Sequence, residues 1–215
     1  MKLSPDTIDL PFSPACERNK GPILKALKST LLGEQMLLEV GSGTGQHGEY
    51  FARHLPRVIW QTTDQEHNLL NLTERVSRAD LANLLLPFRL DVNDHSWLCE
   101  TDAKVCLYDA VFTANTLHIM DVDSVENFFR GLPLNAKTKA QLIIYGPFRY
   151  NGRFTSESNA EFDQSLRSRG VGSAIREIEW IESLAAQGGF VLKADLEMPA
   201  NNQCLLFERA SLCSN

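Results

Sequence analysis

Residues 37–50 read LLEVGSGTGQHGEY, and two glycine patterns that could hold a ligand overlap in them. Counted from Gly41, the run is G-x-G-x-G, with Ser42 and Thr44 between the glycines and Glu39 two residues upstream. Counted from Gly43, it is G-x-G-x-x-G and ends at Gly48. Glycine permits positive φ and a close backbone approach. Free N–H groups at the start of a following helix can meet a carboxylate or a phosphate. The first frame suits S-adenosyl-L-methionine (SAM), and the second suits a dinucleotide. The preceding apolar run ends near Val40, so the Gly41 frame opens its loop directly at a strand end. A carboxylate at the top of a buried strand is costly unless something pairs with it. SAM supplies an ammonium for Glu39, whereas a dinucleotide supplies no cation there. Both points favour the Gly41 frame and leave Gly48 as a helix-face glycine that allows close packing. Asp64, 19 residues beyond Gly45 (64 − 45), would meet ribose hydroxyls in either ligand.

Such a loop needs a strand before it and a helix after it. Apolar runs at Met36–Val40, Val58–Thr62, Phe88–Leu90, Ala110–Thr113, Leu142–Tyr145, Phe190–Leu196 and Cys204–Glu208 read as strands. Helical patterns at 46–55, 66–85, 123–132 and 174–187 lie between them, the last stopping at Gly188-Gly189. Strand–helix alternation with short links predicts a parallel sheet covered on both faces. Between the last two strands lie only Glu197–Gln203, with Pro199 and Asn201-Asn202 as turn formers. That is too short for a parallel crossover and predicts an antiparallel hairpin. The expected fold is therefore α/β: a doubly wound, mostly parallel seven-stranded sheet with a C-terminal antiparallel hairpin. This is the layout of the class I methyltransferases.

Ligands in such sheets sit beyond the carboxyl ends of the strands. Asp91, followed by Val92, stands after the third strand and could accept from an adenine amine; Asn93 or Asp94 would cap the next helix. Asn115 and His118 follow the fourth strand. Asn115 could contact the methionine part of the cofactor. His118 could accept a proton, or simply pack beside Leu117 and Ile119. After Tyr145 and Gly146-Pro147, about 25 residues precede the next long helix, a length that suits a lid or binding loop. They include a short helix with Phe162 and Leu166 expected inward. Arg149, Arg153, Arg167, Arg169 and Arg176 are concentrated here, either as a solvated face paired with nearby acids or as a clamp for an anionic substrate. Upstream, Pro14 and Pro22 stiffen FSPACERNKGPILKAL, whose helix is expected to start at Ile23, with Glu17-Arg18-Asn19 just before it as a possible lid.

The remaining composition bounds the function. A formal charge of −6 argues against broad binding to nucleic acid or anionic membranes. No apolar run approaches the ~20 residues of a membrane helix, and the N-terminus lacks a signal-peptide core. Cys16, Cys99, Cys106, Cys204 and Cys213 form no C-x-x-C pair, so neither a metal site nor a disulfide framework is signalled. A reducing, cytoplasmic setting fits.

The segments SPACERNKGPIL, LLEVGSGTGQH, WQTTDQ, RLDV, FTANTLHIM and YGPFRYNGRFTSESNAEFDQSLRSR, with the final hairpin, resemble a methyltransferase-like family named only as domain of unknown function 938. The resemblance covers almost the whole chain. It implies a single SAM-binding domain over 1–215, with an N-terminal lid at 1–30 and a substrate-side insertion at 146–175. It also implies that Glu39, Gly41, Gly43 and Gly45 line the methionine moiety. Asp64 would hold the ribose, Asp91 the adenine edge and Asn115 the floor, while Arg18 and Asn19 close the cofactor site. The expected activity is methyl transfer from SAM to a small acceptor, with an anionic one preferred and Tyr145, Arg149, Arg153 and Arg167 on the substrate side. No N/D-P-P-Y/F/W motif follows the fourth strand, so nucleobase amino-methylation is unsupported. A non-catalytic SAM-binding module and an NAD(P)-dependent oxidoreductase remain as alternatives, and the oligomeric state is open.

Overall fold

The computed structural model describes residues 9–211, except 95, 96, 98, 99, 102, 103, 106 and 171. Cys99, Cys106 and Cys213 lie outside the described residues. Helix α1 (Pro14–Thr30) leads into strand β1 (Gln35–Val40), helix α2 (Gln46–His54) and strand β2 (Val58–Asp64). Helix α3 (Glu66–Ala79) and strand β3 (Leu84–Arg89) follow, then a short ribbon, β4 (Glu100–Thr101) and β5 (Lys104–Val105). Strand β6 (Tyr108–Ala114), helix α4 (Val122–Asn135) and strand β7 (Ala136–Gly146) complete the centre. Strands β8 (Phe148–Tyr150) and β9 (Arg153–Phe154), helix α5 (Glu157–Arg167) and strand β10 (Arg176–Glu177) form the insertion. Helix α6 (Ile178–Gln187) and strands β11 (Phe190–Met198) and β12 (Asn202–Arg209) end the chain.

The main sheet has seven strands in the order β11-β12-β7-β6-β1-β2-β3. The pairs β1–β2, β1–β6, β2–β3 and β6–β7 are parallel. β12 lies between β7 and β11 and is antiparallel to both. The expected hairpin is present, and its second strand is inserted into the sheet rather than added at its edge.

Alternation along the strands feeds two cores. Leu38, Val40, Val111, Leu142 and Ile144 pack against Val125, Phe128 and Leu132 of α4 and Ile181 and Leu184 of α6. Leu37, Val58, Trp60, Phe112 and Ile143 pack against Ile23 and Leu27 of α1, Phe51 of α2 and Leu72 and Val76 of α3.

Several boundaries differ from expectation. The helix expected over 66–85 ends at Ala79, where Asp80 turns left-handed with φ of 48°. Leu84 and Leu85 instead pair with β2 in an edge strand, which also tolerates Pro87. An apolar run of that length does not by itself distinguish strand from helix. Helix α1 starts nine residues before Ile23 (23 − 14), because Ser13 caps it with its hydroxyl and Pro14 occupies the first turn. The helix expected at 174–187 begins only at Ile178; Arg176 and Glu177 pair with β8 instead.

Candidate active site

A cleft of about 890 Å³ opens beyond the carboxyl ends of β1, β2 and β6. Its floor is the turn between β1 and α2. Gly41, Gly43 and Gly45 all have positive φ, 75°, 55° and 74°. A Cβ on Gly41 would lie 2.7 Å from Thr116 Cγ2, so the loop and the segment after β6 meet only because that residue is glycine. A Cβ on Gly43 would meet no protein atom, and Gly43 lines the cleft. Gly48 faces inward: its Cβ would lie 2.9 Å from Thr62 Cγ2 and 3.0 Å from Glu39 Oε2.

Asp64 lines the cleft at the end of β2. Its Oδ2 accepts from the Gly43 N–H at 2.5 Å, and its Oδ1 accepts from the Gln65 N–H and Asn68 Nδ2, both at 2.8 Å. The carboxylate is thereby fixed against the glycine loop. Glu39 lies beneath that loop and is not among the residues lining the cleft. It accepts from the Trp60 indole N–H at 2.8 Å, and burial pushes its carboxyl up to about 7.

The other expected positions divide. Arg18, Ser42, Val92, Asn115 and His118 line the cleft; Asn19, Thr44, Gly45, Asp91 and Tyr145 do not. Asp91 accepts from Gln65 Nε2 and from the Asn93 N–H, each at 3.0 Å, and Asn93 reaches the cleft in its place. Asn115 holds a left-handed φ of 59°, and its N–H donates to the Tyr145 carbonyl at 2.8 Å. The Tyr145 hydroxyl interacts with Asn19 and Asn202, and burial pushes its pKa up.

Arg149, Arg153 and Arg167 are not gathered at the cleft. Arg149 sits 2.7 Å from Glu177 Oε1, and Arg167 sits 2.6 Å from Asp163 Oδ2. Arg153 is exposed, and none of the three lines the cleft. Arg176 is buried and donates to the carbonyls of Leu117, Met120 and Gly172. It braces the segment that carries His118.

His118 is 8% exposed, and burial, with Arg176 and Arg169 nearby, pushes its pKa down to about 4. Its ring meets Phe162 of α5 edge to face, centroids 5.4 Å apart. Several residues not expected at the cleft also line it. His47 lines the cleft from α2, its Nε2 donating to Asn19 Oδ1 at 2.6 Å. Phe162, expected inward, is 36% exposed and lines the cleft, while Leu166 is fully buried. Ala200 and Asn202 reach the cleft from the hairpin turn, where Asn159 Nδ2 donates to the Asn201 carbonyl at 2.9 Å. The asparagine-rich turn was the one available signal.

This sheet order, with a glycine loop after the first strand, defines the fold of SAM-dependent methyltransferases. An O-methyltransferase family protein from Burkholderia thailandensis superposes with a TM-score of 0.76 at 16% identity, over 92% of this chain and 58% of that one. The SAM-dependent methyltransferase SibL gives 0.75 at 17% identity, over 92% and 56%. Human N-acetylserotonin methyltransferase, in complex with SAM, gives 0.72 at 11% identity, over 92% and 53%. The chain spans little more than half the length of these proteins. The model of the family described as "Protein of unknown function (DUF938)" matches residues 10–209, and the chain belongs to that family.

Proposed function

We propose that this chain is a SAM-dependent methyltransferase acting on a small-molecule acceptor. The observation that carries the reading is one cleft with the glycine loop and Asp64 on its floor and His118 on its wall. The open space at Gly43 and the fixed Asp64 carboxylate fit an aminoacyl nucleoside. The loop would cradle the methionine portion, Asp64 the ribose diol, and Leu90, Val92 and Asn93 the adenine. Arg18 lines the cleft from α1 and would meet the amino-acid carboxylate. Glu39, beneath the loop, would balance the ammonium through the loop rather than by contact. Asn115 would form the floor beside the reacting centre.

The bound cofactor would supply an already electrophilic methyl group. The protein then has to align the acceptor and exclude water. α1, α5 and the hairpin turn each send residues to the cleft wall and serve that purpose. His118 is uncharged at neutral pH and so free to take the acceptor's proton. The inward position of Gly48 disfavours the dinucleotide frame, which would need that glycine at the ligand.

Calorimetry with S-adenosylhomocysteine and with NAD, followed by transfer from methyl-labelled SAM to an acceptor panel, tests the reading. S-adenosylhomocysteine alone should bind, and His118→Asn should lower kcat by about a hundredfold or more without changing that affinity. Binding without transfer to any acceptor would leave the non-catalytic module instead.

A further inference from the structure

The cleft wall around His118 carries an apolar patch beside the polar Ser158 and Asn159 of α5. Phe162 of α5, Pro147 after β7, and Ile119 and Met120 after β6 form the patch. Phe162 and Ile119 are large apolar side chains left 36% and 52% exposed. Apolar surface gathered in a concave wall marks a ligand site rather than ordinary surface.

Few charged side chains line the cleft. Its charged lining side chains, among the described residues, are Arg18, Asp64 and Asp121. Asp64 is held by Gly43, Gln65 and Asn68. Asp121 caps α4, accepting from the Ser124 N–H at 2.7 Å. Arg18 stands on α1, which is docked against the glycine-loop helix by the bond from the Ser13 N–H to Gln46 Oε1 and by Asn19–His47. Arg149, Arg167 and Arg176 are held by Glu177, Asp163 and backbone carbonyls. Among the described residues Arg18 is the one lysine or arginine lining the cleft, and the cofactor's carboxylate would take it; Arg169, near His118, is exposed and does not line the cleft. A carboxylate against the apolar wall would lose hydration without a lining cation beside it.

We propose that the acceptor is an uncharged aryl hydroxyl compound, its ring against Phe162, Ile119 and Pro147 and its hydroxyl at His118. This deepens, and rests on, the methyltransferase reading. In the reaction the acceptor oxygen forms the O–CH3 bond as the C–S bond of the sulfonium breaks. That bond's electron pair remains on sulfur, and the hydroxyl proton passes to His118 and then to solvent. An aryl hydroxyl, with a pKa near ~10, gives up its proton to so weak a base far more readily than an aliphatic alcohol.

The test is calorimetry on protein saturated with S-adenosylhomocysteine, titrated with phenol, catechol and naphthol, each beside its ring-carboxylated counterpart. The neutral compounds should bind about tenfold or more tightly than the carboxylates. Phe162→Ala should weaken them by a similar factor and leave S-adenosylhomocysteine affinity unchanged. Phe162→Leu, which keeps the apolar bulk, should fall between the two. Carboxylates that bind equally well or better, or neither series binding, would overturn the proposal. Failure of S-adenosylhomocysteine itself to bind would instead sink the cofactor reading.

Discussion

Nε2 of His47 lies 2.6 Å from Oδ1 of Asn19, and both side chains are buried. One hydrogen bond thus joins α1, which carries Arg18, to α2, which follows the glycine loop. Tyr145 and Asn202 extend the contact to β7 and the hairpin turn. Asn19→Ala would leave the His47 N–H buried without a partner, at a cost of about 1–3 kcal/mol. The expected result is a lower Tm and a weaker calorimetric Kd for S-adenosylhomocysteine, because Arg18 loses its anchorage. An unchanged Kd would mean that α1 does not serve the cofactor.

Acid should destabilise the fold through two histidines. Burial, with Lys20 nearby, pushes His47 down to about 4, and His118 is pushed equally low. Both folded values lie below the unfolded value of about 6.5. Their contribution is therefore present above about pH 6.5 and lost as pH falls towards 4. At pH 5 the loss is roughly 2 kcal/mol per histidine. Urea denaturation of the wild type and of His47→Gln at pH 7 and pH 5 checks this; between the two pH values the wild type should lose roughly 2 kcal/mol more than the variant.

Glu39 has the opposite sign. Its folded pKa of about 7 lies above the unfolded value, so its contribution is present at low pH and lost as pH rises through 7. Glu39→Gln keeps an acceptor for the Trp60 indole and removes the buried charge. At pH 8 it should gain on the order of 1–3 kcal/mol in denaturant melts, yet bind S-adenosylhomocysteine more weakly. A gain in stability with undiminished affinity would remove Glu39 from the cofactor's electrostatics.

Two glycines should fail differently. Gly48→Ala forces a methyl group against Thr62, Glu39 and Trp60 and should cost about 1–3 kcal/mol by overpacking. Gly43→Ala meets no protein atom and pays only for its left-handed φ of 55°, about 1 kcal/mol, but places the methyl group in the cleft. Gly43→Ala should therefore lose more ligand affinity and Gly48→Ala more thermal stability, as read by calorimetry and melting curves of each.

Much of this was legible in the chain. The glycine loop directly after the first strand, the alternation of elements and the tail hairpin follow from local rules: which backbone admits positive φ, which period faces a core, how short a link can be. The edge strand at Leu84–Arg89 was not, because its leucines satisfy helix and strand alike until β2 offers hydrogen bonds. Nor was the fate of the arginines. Their spacing permits a clamp, but Glu177 lies 28 residues from Arg149, and only the folded chain brings the two within 2.7 Å. The sequence by itself determined the strand–helix alternation, the glycine loop and the tail hairpin, since those depend on neighbours along the chain. The tertiary structure alone decided what faces His118, which charges are already paired, and that Asn19 holds His47. Burial and long-range pairing set those, and neither is a local property.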